Sequence, residues 1–446
     1  MVPNRALRAA APAGPPRLSG ASRGRSPSVR GTPAPSKALR IIFFLFVFSV
    51  PFEALDTLAT GHTFSLPRLF GLLLILATAA RFRSTLRRPP AAFWLFGIYL
   101  VIAAAIGITE PSGYWADARA ALMTLLQLLV LFWIAASLLR HPSMARAALA
   151  ALALSTLTVA ILNLLGIGMT PIPGTGRVSM FGEDPNTVSG MLSVGILSWL
   201  ALGPERTVGA TRLGRFWIPG CAVVAAAVIR TGSRGGLVAL LAGILTLALS
   251  RRGRRPRWRS VFTALVVVAA LLAGVLASGT NVRRWTETFE TGSAAGREQI
   301  YPAAWQMFLE RPILGWGPGR NIAELGARLD YGNSETAPVA RDTHNGLLWI
   351  LTETGLVGFV PFAAGLLLCL RAAWRARSYA YGIAPFALVV CIFIINMSIS
   401  WQKRKFFWLI LALGVAGGRT LVRRRSAPAA RARPRFEEII RALPAD

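Results

Sequence analysis

Among the three histidines in the sequence, His344 has the surroundings that suggest chemistry. It stands in the run Asp342-Thr343-His344-Asn345, which leads into an apolar stretch. A neutral imidazole can accept a proton from a hydroxyl group near neutral pH, so His344 is a candidate general base. A histidine that caps a helix or hydrogen-bonds within a loop is an equally good interpretation of the pattern. His62 and His141 lie in short segments between apolar runs, with no supporting constellation.

Arginines in two segments could bind an anion. Arg230 and Arg234 are four residues apart, so on one continuous helix they would share a face, and Gly235 and Gly236 remove side-chain bulk beside them. Arg297 opens a predicted surface helix. A guanidinium group donates two parallel hydrogen bonds to phosphate, and a diphosphate has oxygens for two such pairs. The alternatives are snorkelling to lipid head groups for the first two arginines and a solvated helix-end charge for Arg297.

Other common catalytic patterns do not stand out in the sequence. Residues 315–319 are rich in glycine, but no Lys-Ser/Thr follows them and no buried strand precedes them, so a nucleotide-binding loop is a poor interpretation. No paired carboxylates or Asp-rich metal motif stand out, and Cys221, Cys369 and Cys391 lie far apart inside apolar runs. We therefore expect no metal site, no cofactor and no disulfide framework.

The elements that must position these residues are predicted to be membrane helices. Hydrophobic residues make up 54% of the 446 residues and the mean hydropathy is +0.52, more than one soluble core requires. Recurrent apolar runs predict an all-α, polytopic integral membrane protein with about twelve spans. The runs lie at roughly 40–58, 66–82, 91–108, 119–139, 146–166, 186–203, 215–230, 235–250, 261–278, 355–374, 381–399 and 405–420. The net charge of +30 lies mostly between these runs, which indicates membrane topology rather than nucleic-acid binding.

The distribution of arginine and lysine predicts the orientation, because short cytoplasmic loops carry the excess of positive charge. We expect a disordered basic cytoplasmic tail at 1–38, nine helices at 39–278, a large periplasmic loop with amphipathic helices at 279–354, three helices at 355–420 and a basic cytoplasmic tail at 421–446. A transit peptide is an alternative for the first tail. Two predicted outward turns, 230–234 and 402–405, are basic against this rule, which makes both functional candidates; simple lipid contact is the alternative for the second.

The predicted outward loop is far longer than the other connections, and long loops often carry binding or catalysis. Residues 296–311 place Ile300, Ala304, Met307 and Phe308 at helical spacing before Pro312 stops the pattern. This spacing predicts an amphipathic helix at the membrane surface. A glycine-rich turn is expected at 314–319, and the loop ends at His344 and Asn345.

Taken together and in order, several segments resemble the O-antigen ligase and O-antigen polymerase superfamily. They are Arg-Val-Ser-Met-Phe-Gly-Glu-Asp-Pro-Asn at 177–186, Thr-Gly-Ser-Arg-Gly-Gly at 231–236, Arg297 with Trp305, Glu-Arg-Pro-Ile-Leu-Gly-Trp-Gly-Pro-Gly at 310–319, His344-Asn345, and Glu-Thr-Gly-Leu-Val-Gly at 353–358. The resemblance covers about 177–420; the first five helices match only in being hydrophobic.

The resemblance implies a membrane glycosyltransferase of the C-type fold in the bacterial inner membrane. Such an enzyme moves a glycan from undecaprenyl diphosphate to an acceptor hydroxyl on the periplasmic side, without a nucleotide sugar, a metal or another cofactor. His344 resembles the family's general base, and Arg234 and Arg297 resemble the arginines that hold the lipid diphosphate. Attack opposite the leaving diphosphate predicts inversion of configuration. Further candidates for the cavity or the acceptor site are Arg230, Arg177, Asp184, Asn186, Asn345 and Lys405.

Three functions follow from these observations. The first is a ligase that attaches the glycan to lipid A core, and the second is a polymerase or protein glycosyltransferase with the same donor and another glycan or a protein as acceptor. The third is a transporter or flippase, for which ionisable residues within several helices and a repeat between the halves would be expected. Neither feature is evident in the sequence. The expected partners are therefore the lipid-linked donor, the acceptor and membrane lipids, with no nucleic acid.

Overall fold

The computed structural model describes residues 35–53, 65–172, 177–203, 213–248, 258–291, 296–329, 342–377 and 382–425. Most of the first predicted tail, most of the arginine-rich run at 251–259, part of the predicted loop at 330–341 and the end of the second tail lie outside these ranges.

The described chain is mostly helical. Its helices are α1 (Lys37–Ser49), α2 (Leu66–Ala79), α3 (Phe82–Thr85), α4 (Ala91–Thr109), α5 (Trp115–Leu138), α6 (Pro142–Leu164), α7 (Pro185–Leu202), α8 (Trp217–Arg230), α9 (Arg234–Ala248), α10 (Trp258–Leu276), α11 (Gly279–Thr291), α12 (Arg297–Glu310), α13 (Arg320–Arg328), α14 (Gly346–Ala376), α15 (Ala384–Ile395) and α16 (Lys405–Arg425). Three short 3₁₀ turns lie at Val50–Phe52, Ser112–Tyr114 and Leu213–Phe216.

Six of these helices are long and apolar enough to cross a membrane: α4, α5 with its preceding 3₁₀ turn, α6, α7, α8 with its preceding 3₁₀ turn, and α14. A seventh span results if the bent pair α10 and α11 counts as one. Shorter apolar helices occupy the predicted runs that begin at 66, 235, 381 and 405. The all-α membrane architecture is thus confirmed in its coarse form, whereas twelve spans stay a prediction. The predicted run at 355–374 covers only the second half of α14.

The all-α prediction misses one short antiparallel hairpin, β1 (Met169–Ile172) with β2 (Arg177–Met180). Its register pairs Met169 with Met180 and Ile172 with Arg177. Four-residue strands carry too little periodicity to stand out beside long apolar helices.

The core lies among α1, α4 to α9 and α14 to α16, which pack along their lengths. Between α4, α5, α14 and α16, Phe96 packs against Phe132, Phe362 and Trp408, with ring centroids 4.8 to 5.6 Å apart. A Cβ on Gly365 would lie 2.6 Å from the Phe96 ring, so the absence of a side chain there allows α14 to approach α4. Small residues at such contacts are typical of membrane helices.

Helix α14 is broken at Gly355, where φ is 58° and ψ is −161°. This backbone conformation is accessible almost only to glycine. The glycine-rich segment before α13 packs against the break. The backbone N–H of Trp316 donates to the Thr352 carbonyl at 2.8 Å, and the backbone N–H of Leu356 donates to the Pro312 carbonyl at 2.8 Å. The segments that begin at residues 310 and 353 therefore lock together through backbone hydrogen bonds.

The helix predicted at 296–311 is confirmed as α12, whereas its place at the membrane surface stays a prediction. Its residues Ala304 and Met307 are buried in a small cluster with Trp316, Leu325 and Leu348. The apolar face of α12 thus packs on α13, on α14 and on the glycine-rich turn.

Three arginines of the predicted loop lie against the ring of Trp316. The guanidinium carbons of Arg311, Arg320 and Arg328 lie 4.1, 5.2 and 4.7 Å from its ring centroid. Cation–π contacts of this kind hold the arginines against the turn. These three side chains are structural and lie apart from the cleft described next.

Candidate active site

Side chains from six segments line one polar cleft with an empty volume of about 450 Å³. The segments are β2, the start of α7, the start of α9, α11, the start of α12 and the residue pair before α14. The lining residues are Arg177, Asp184, Asn186, Arg234, Gly235, Arg284, Arg297 and His344. The structure therefore brings the predicted base and both predicted diphosphate-binding arginines to one place.

The break between α8 and α9 sets the position of Arg234. The chain turns through Gly232, whose φ is 62°, and the Ser233 hydroxyl donates to the Asn186 side-chain oxygen at 2.8 Å. A Cβ on Gly236 would lie 1.8 Å from the Ser189 hydroxyl oxygen, so α9 can approach α7 closely only because residue 236 lacks a side chain. The Thr-Gly-Ser-Arg-Gly-Gly segment is thus a break and a close helix contact that places Arg234 at the first turn of α9.

Arg177 is anchored to residues that also hold this break. Its guanidinium donates to the Asn186 side-chain oxygen at 3.1 Å and to the Thr231 carbonyl at 3.3 Å. Asp184 caps α7 by accepting from the Asn186 N–H at 2.7 Å. Burial, and then the neighbouring positive charge of Arg284, lower the pKa of Arg177 to about 10.

Arg234 and Arg284 each donate a hydrogen bond to a backbone carbonyl of the segment that carries the other. The Arg234 guanidinium donates to the Arg284 carbonyl at 2.8 Å, and the Arg284 guanidinium donates to the Gly232 carbonyl at 2.5 Å. Arg284 is missing from the sequence-based candidates. A signal exists, since Arg283 and Arg284 form a basic pair in a loop that the charge rule places outside, but the pair alone does not show which one faces a site.

Arg297 is the first residue of α12 and follows Gly296, whose φ is 81°. Its guanidinium donates to the Ser398 carbonyl at 2.9 Å. The contact spans 101 residues of sequence and ties the start of α12 to the turn between α15 and α16.

His344 lines the cleft from a strained backbone position. Its φ is 49°, a left-handed value that non-glycine residues seldom adopt. Asp342 accepts a hydrogen bond from the His344 N–H at 2.6 Å, and the Tyr301 hydroxyl donates to the His344 carbonyl at 3.3 Å. The imidazole Nδ1 is buried and has no hydrogen-bond partner among the described residues. Strained residues held in place by their surroundings are a feature of functional sites.

The cleft carries a large excess of positive charge. Among the described lining residues, four guanidinium groups face a single carboxylate, that of Asp184. Like charges at close range raise one another's energy unless an anion joins them. The arrangement therefore suits a ligand with several negative oxygens, next to an imidazole that can take a proton.

Comparison with protein-family models shows which family part of the chain is similar to. Residues 219–363 match the family model Wzy_C, described as O-Antigen ligase. This segment of the chain is similar to the domain of the O-antigen ligase family. No curated protein matches the chain.

The family match confirms the resemblance seen in the sequence, and it supports an enzyme of the O-antigen ligase or polymerase type in a membrane. Of the cleft residues, Arg234, Arg284, Arg297 and His344 lie inside the matched segment of this O-antigen ligase family domain. Arg177 and the start of α7 precede it and join it through the contact with Thr231.

Three predicted candidates do not line the cleft. Arg230 ends α8, is exposed and donates to the Leu164 carbonyl at 2.7 Å; because the chain breaks after it, Arg230 and Arg234 do not lie on one continuous helix as the spacing suggests. Asn345 caps α14, its side chain accepting from the N–H groups of residues 347 and 348. Lys405 is ion-paired with Glu53.

The basic turn at 402–405, a functional candidate because of its charge, forms ion pairs within the chain. Each of its three cations is paired with a carboxylate from a distant segment: Lys403 with Glu353, Arg404 with Glu183 and Lys405 with Glu53. Glu353 is fully buried, and it also accepts from the Tyr99 hydroxyl at 2.7 Å. The positive charge of this turn is thus compensated by carboxylates from other parts of the chain.

Proposed function

We propose that the protein transfers a glycan from undecaprenyl diphosphate to an acceptor hydroxyl, with lipid A core as the acceptor. The observation that carries the proposal is that four guanidinium groups line the same cleft as His344. The family match adds a lipid-linked glycan donor and a glycan acceptor in general terms.

In the proposed reaction, the acceptor oxygen forms a bond to the anomeric carbon while the bond from that carbon to the diphosphate oxygen breaks. The diphosphate keeps the electron pair, and the hydroxyl proton passes to His344. Negative charge grows on the diphosphate as the bond breaks, and fixed guanidinium groups stabilise it. Loss of one such preorganised donor typically costs about 3 kcal/mol, about a hundredfold in rate. Attack from the face opposite the diphosphate inverts the anomeric configuration.

Arg234 and Arg297 are assigned to the diphosphate, and we add Arg284 and Arg177 to them. All four line the same cleft as His344. Arg234, Arg284 and Arg297 reach it from the starts of helices or from the short helix α11, and each makes a backbone contact that fixes its guanidinium. Fixed donors need no reorganisation when the charge develops, which is the source of their effect on rate.

We place this site on the periplasmic side of the bacterial inner membrane, with twelve spans, both termini in the cytoplasm and residues 279–354 in a periplasmic loop. Support comes from contacts among segments predicted to face outward: Arg234 of the turn at 230–234 and Arg297 of the predicted loop line the same cleft, and Arg297 donates to the Ser398 carbonyl shortly before the turn at 402–405. Segments from separate parts of the chain that are predicted to face the same side of the membrane thus meet in three dimensions.

The test is reconstitution of the full chain with an undecaprenyl-diphosphate glycan and purified lipid A core. His344→Ala is expected to lower transfer by at least about a hundredfold, as loss of a general base does. His141→Ala, at the start of α6 and away from the cleft, is the matched control.

Undiminished transfer by His344→Ala would remove the base assignment, and retained anomeric configuration would exclude a single displacement. Parallel reactions with a second lipid-linked glycan or a polypeptide as acceptor separate a polymerase or a protein glycosyltransferase from a ligase. Movement of the donor across the bilayer without its consumption would instead indicate a transporter.

A further inference from the structure

The backbone of His344 is held by the side chain of Asp342, two residues earlier in the chain. One oxygen of Asp342, Oδ1, accepts from the His344 N–H at 2.6 Å and from the Ser400 hydroxyl at 2.5 Å. Two short hydrogen bonds thus converge on one carboxylate oxygen. They connect the left-handed backbone of His344 to the turn between α15 and α16.

That turn is itself firmly anchored. Arg404 makes two hydrogen bonds to the Glu183 carboxylate, at 2.6 and 2.9 Å, and Lys403 lies 3.3 Å from the buried Glu353. At its other end, the Asn396 carbonyl accepts from the N–H of residue 346 at 2.8 Å, directly after His344 and Asn345. Ser400 therefore sits in a segment fixed at both ends to membrane helices.

The same turn also reaches the anion-binding side of the cleft, through the Ser398 carbonyl that accepts from Arg297. One segment thus contacts both the carboxylate that holds the candidate base and a candidate diphosphate-binding residue. A scaffold of this kind can fix the distance between the two functional groups, which matters because small displacements in an active site have large effects on rate.

We infer that Asp342 and Ser400 are positioning residues for His344: they hold its strained backbone so that the imidazole faces the cleft. The inference rests on the proposed function, since it needs His344 to be the base. Asp342 acts through the backbone N–H of His344 and through Ser400, so the reaction needs its oxygen as an acceptor and not its charge.

The experiment compares Asp342→Ala, Asp342→Asn and Ser400→Ala in the reconstituted full chain. Measured quantities are kcat, the KM for lipid A core, the pH profile of kcat and the affinity for undecaprenyl diphosphate alone. Asp117→Ala, which removes an exposed carboxylate on α5, is the matched control.

Asp342→Ala is expected to lower kcat about a hundredfold, the effect of a misplaced reacting group, with unchanged affinity for undecaprenyl diphosphate. Asp342→Asn keeps the acceptor oxygen, so it should recover most of kcat with the wild-type pH profile. Ser400→Ala should fall between wild type and Asp342→Ala, because it removes one of the two hydrogen bonds that orient the carboxylate.

Three results would overturn the inference. A wild-type kcat in Asp342→Ala would show that the contact between Asp342 and the His344 backbone does not contribute to catalysis. An Asp342→Asn variant as slow as Asp342→Ala would show that the charge itself is required. Loss of diphosphate affinity in Asp342→Ala would mean that the cleft as a whole is disrupted. Failure of the proposed function is separate: it would appear as wild-type transfer by His344→Ala, whatever Asp342 does.

Discussion

Replacement of Arg284 by alanine tests whether the cleft binds the donor through its arginines. Arg284 lines the cleft from α11, while its guanidinium also donates to the Gly232 carbonyl at 2.5 Å. The variant removes one of four positive groups and leaves the other three in place. We expect weaker binding of undecaprenyl diphosphate and slower transfer.

The magnitude follows from the contacts. A hydrogen bond to a charged group contributes about 1.5 to 3 kcal/mol, which corresponds to about tenfold to a hundredfold in affinity. Arg284 is only half-buried, and its removal also relieves repulsion toward Arg234 and Arg297, so the lower end applies. Donor affinity should therefore fall about tenfold. Arg284→Lys keeps the charge but not the planar pair of donors, so its donor affinity should lie between those of the wild type and Arg284→Ala.

The assay is the dissociation constant of undecaprenyl diphosphate for the purified protein in lipid nanodiscs, together with the initial rate of transfer. Arg283→Ala is a close control, because this neighbour on the same helix is 78% exposed and pairs with Glu287. Equal losses in the two variants would mean that nonspecific positive charge on α11 attracts the donor. Wild-type affinity in Arg284→Ala would refute its assignment to the diphosphate.

Two further predictions concern the scaffold and the chemistry. Gly355→Ala should lower the free energy of unfolding by about 1 to 3 kcal/mol or more, because φ is 58° there and the new Cβ would lie 2.2 Å from the Ile313 carbonyl oxygen. Thermal unfolding beside Gly97→Ala, whose Cβ would meet only Leu129 at 3.9 Å, checks it; equal midpoints would contradict the strain argument. EDTA should leave transfer unchanged, since guanidinium groups supply the positive charge; a loss that added Mg²⁺ restores would show that the diphosphate needs a metal ion.

The sequence predicts the main components of the candidate site because each one has a local signal. His344 stands out by its rarity and by its position before an apolar run, and Arg234 by the glycines beside it. Helix α12 follows from apolar spacing over residues 296–311. The order of motifs then predicts that these segments belong together, although it gives no distance between them.

What the sequence does not reveal depends on contacts between distant segments. The partners of the basic turn are up to 352 positions away, as for Lys405 and Glu53, so its charges look unpaired in the sequence. Arg284 faces the cleft and Arg283 faces solvent because of the rotation of α11. Short arginine pairs carry no information about that rotation. The break after Arg230 is likewise a tertiary feature, held by Ser233 on Asn186.

The segment around Glu353 shows how a motif can be required without touching the substrate. Glu353 has no exposed surface; the Tyr99 hydroxyl donates to one of its carboxylate oxygens, and the Lys403 ammonium lies 3.3 Å from the other. Removing one partner of a buried ion pair strands the other charge and typically costs about 3 to 5 kcal/mol. Lys403 belongs to the same turn as Ser400, which donates a hydrogen bond to Asp342. Two residues after Glu353, the break at Gly355 contacts the glycine-rich segment that follows α12. The stretch of α14 from Glu353 to Gly355 thus contacts both the turn that supports His344 and the segment that follows α12, the helix that Arg297 begins. The order of the motifs along the chain reflects this mechanical connection as much as the chemistry of the cleft.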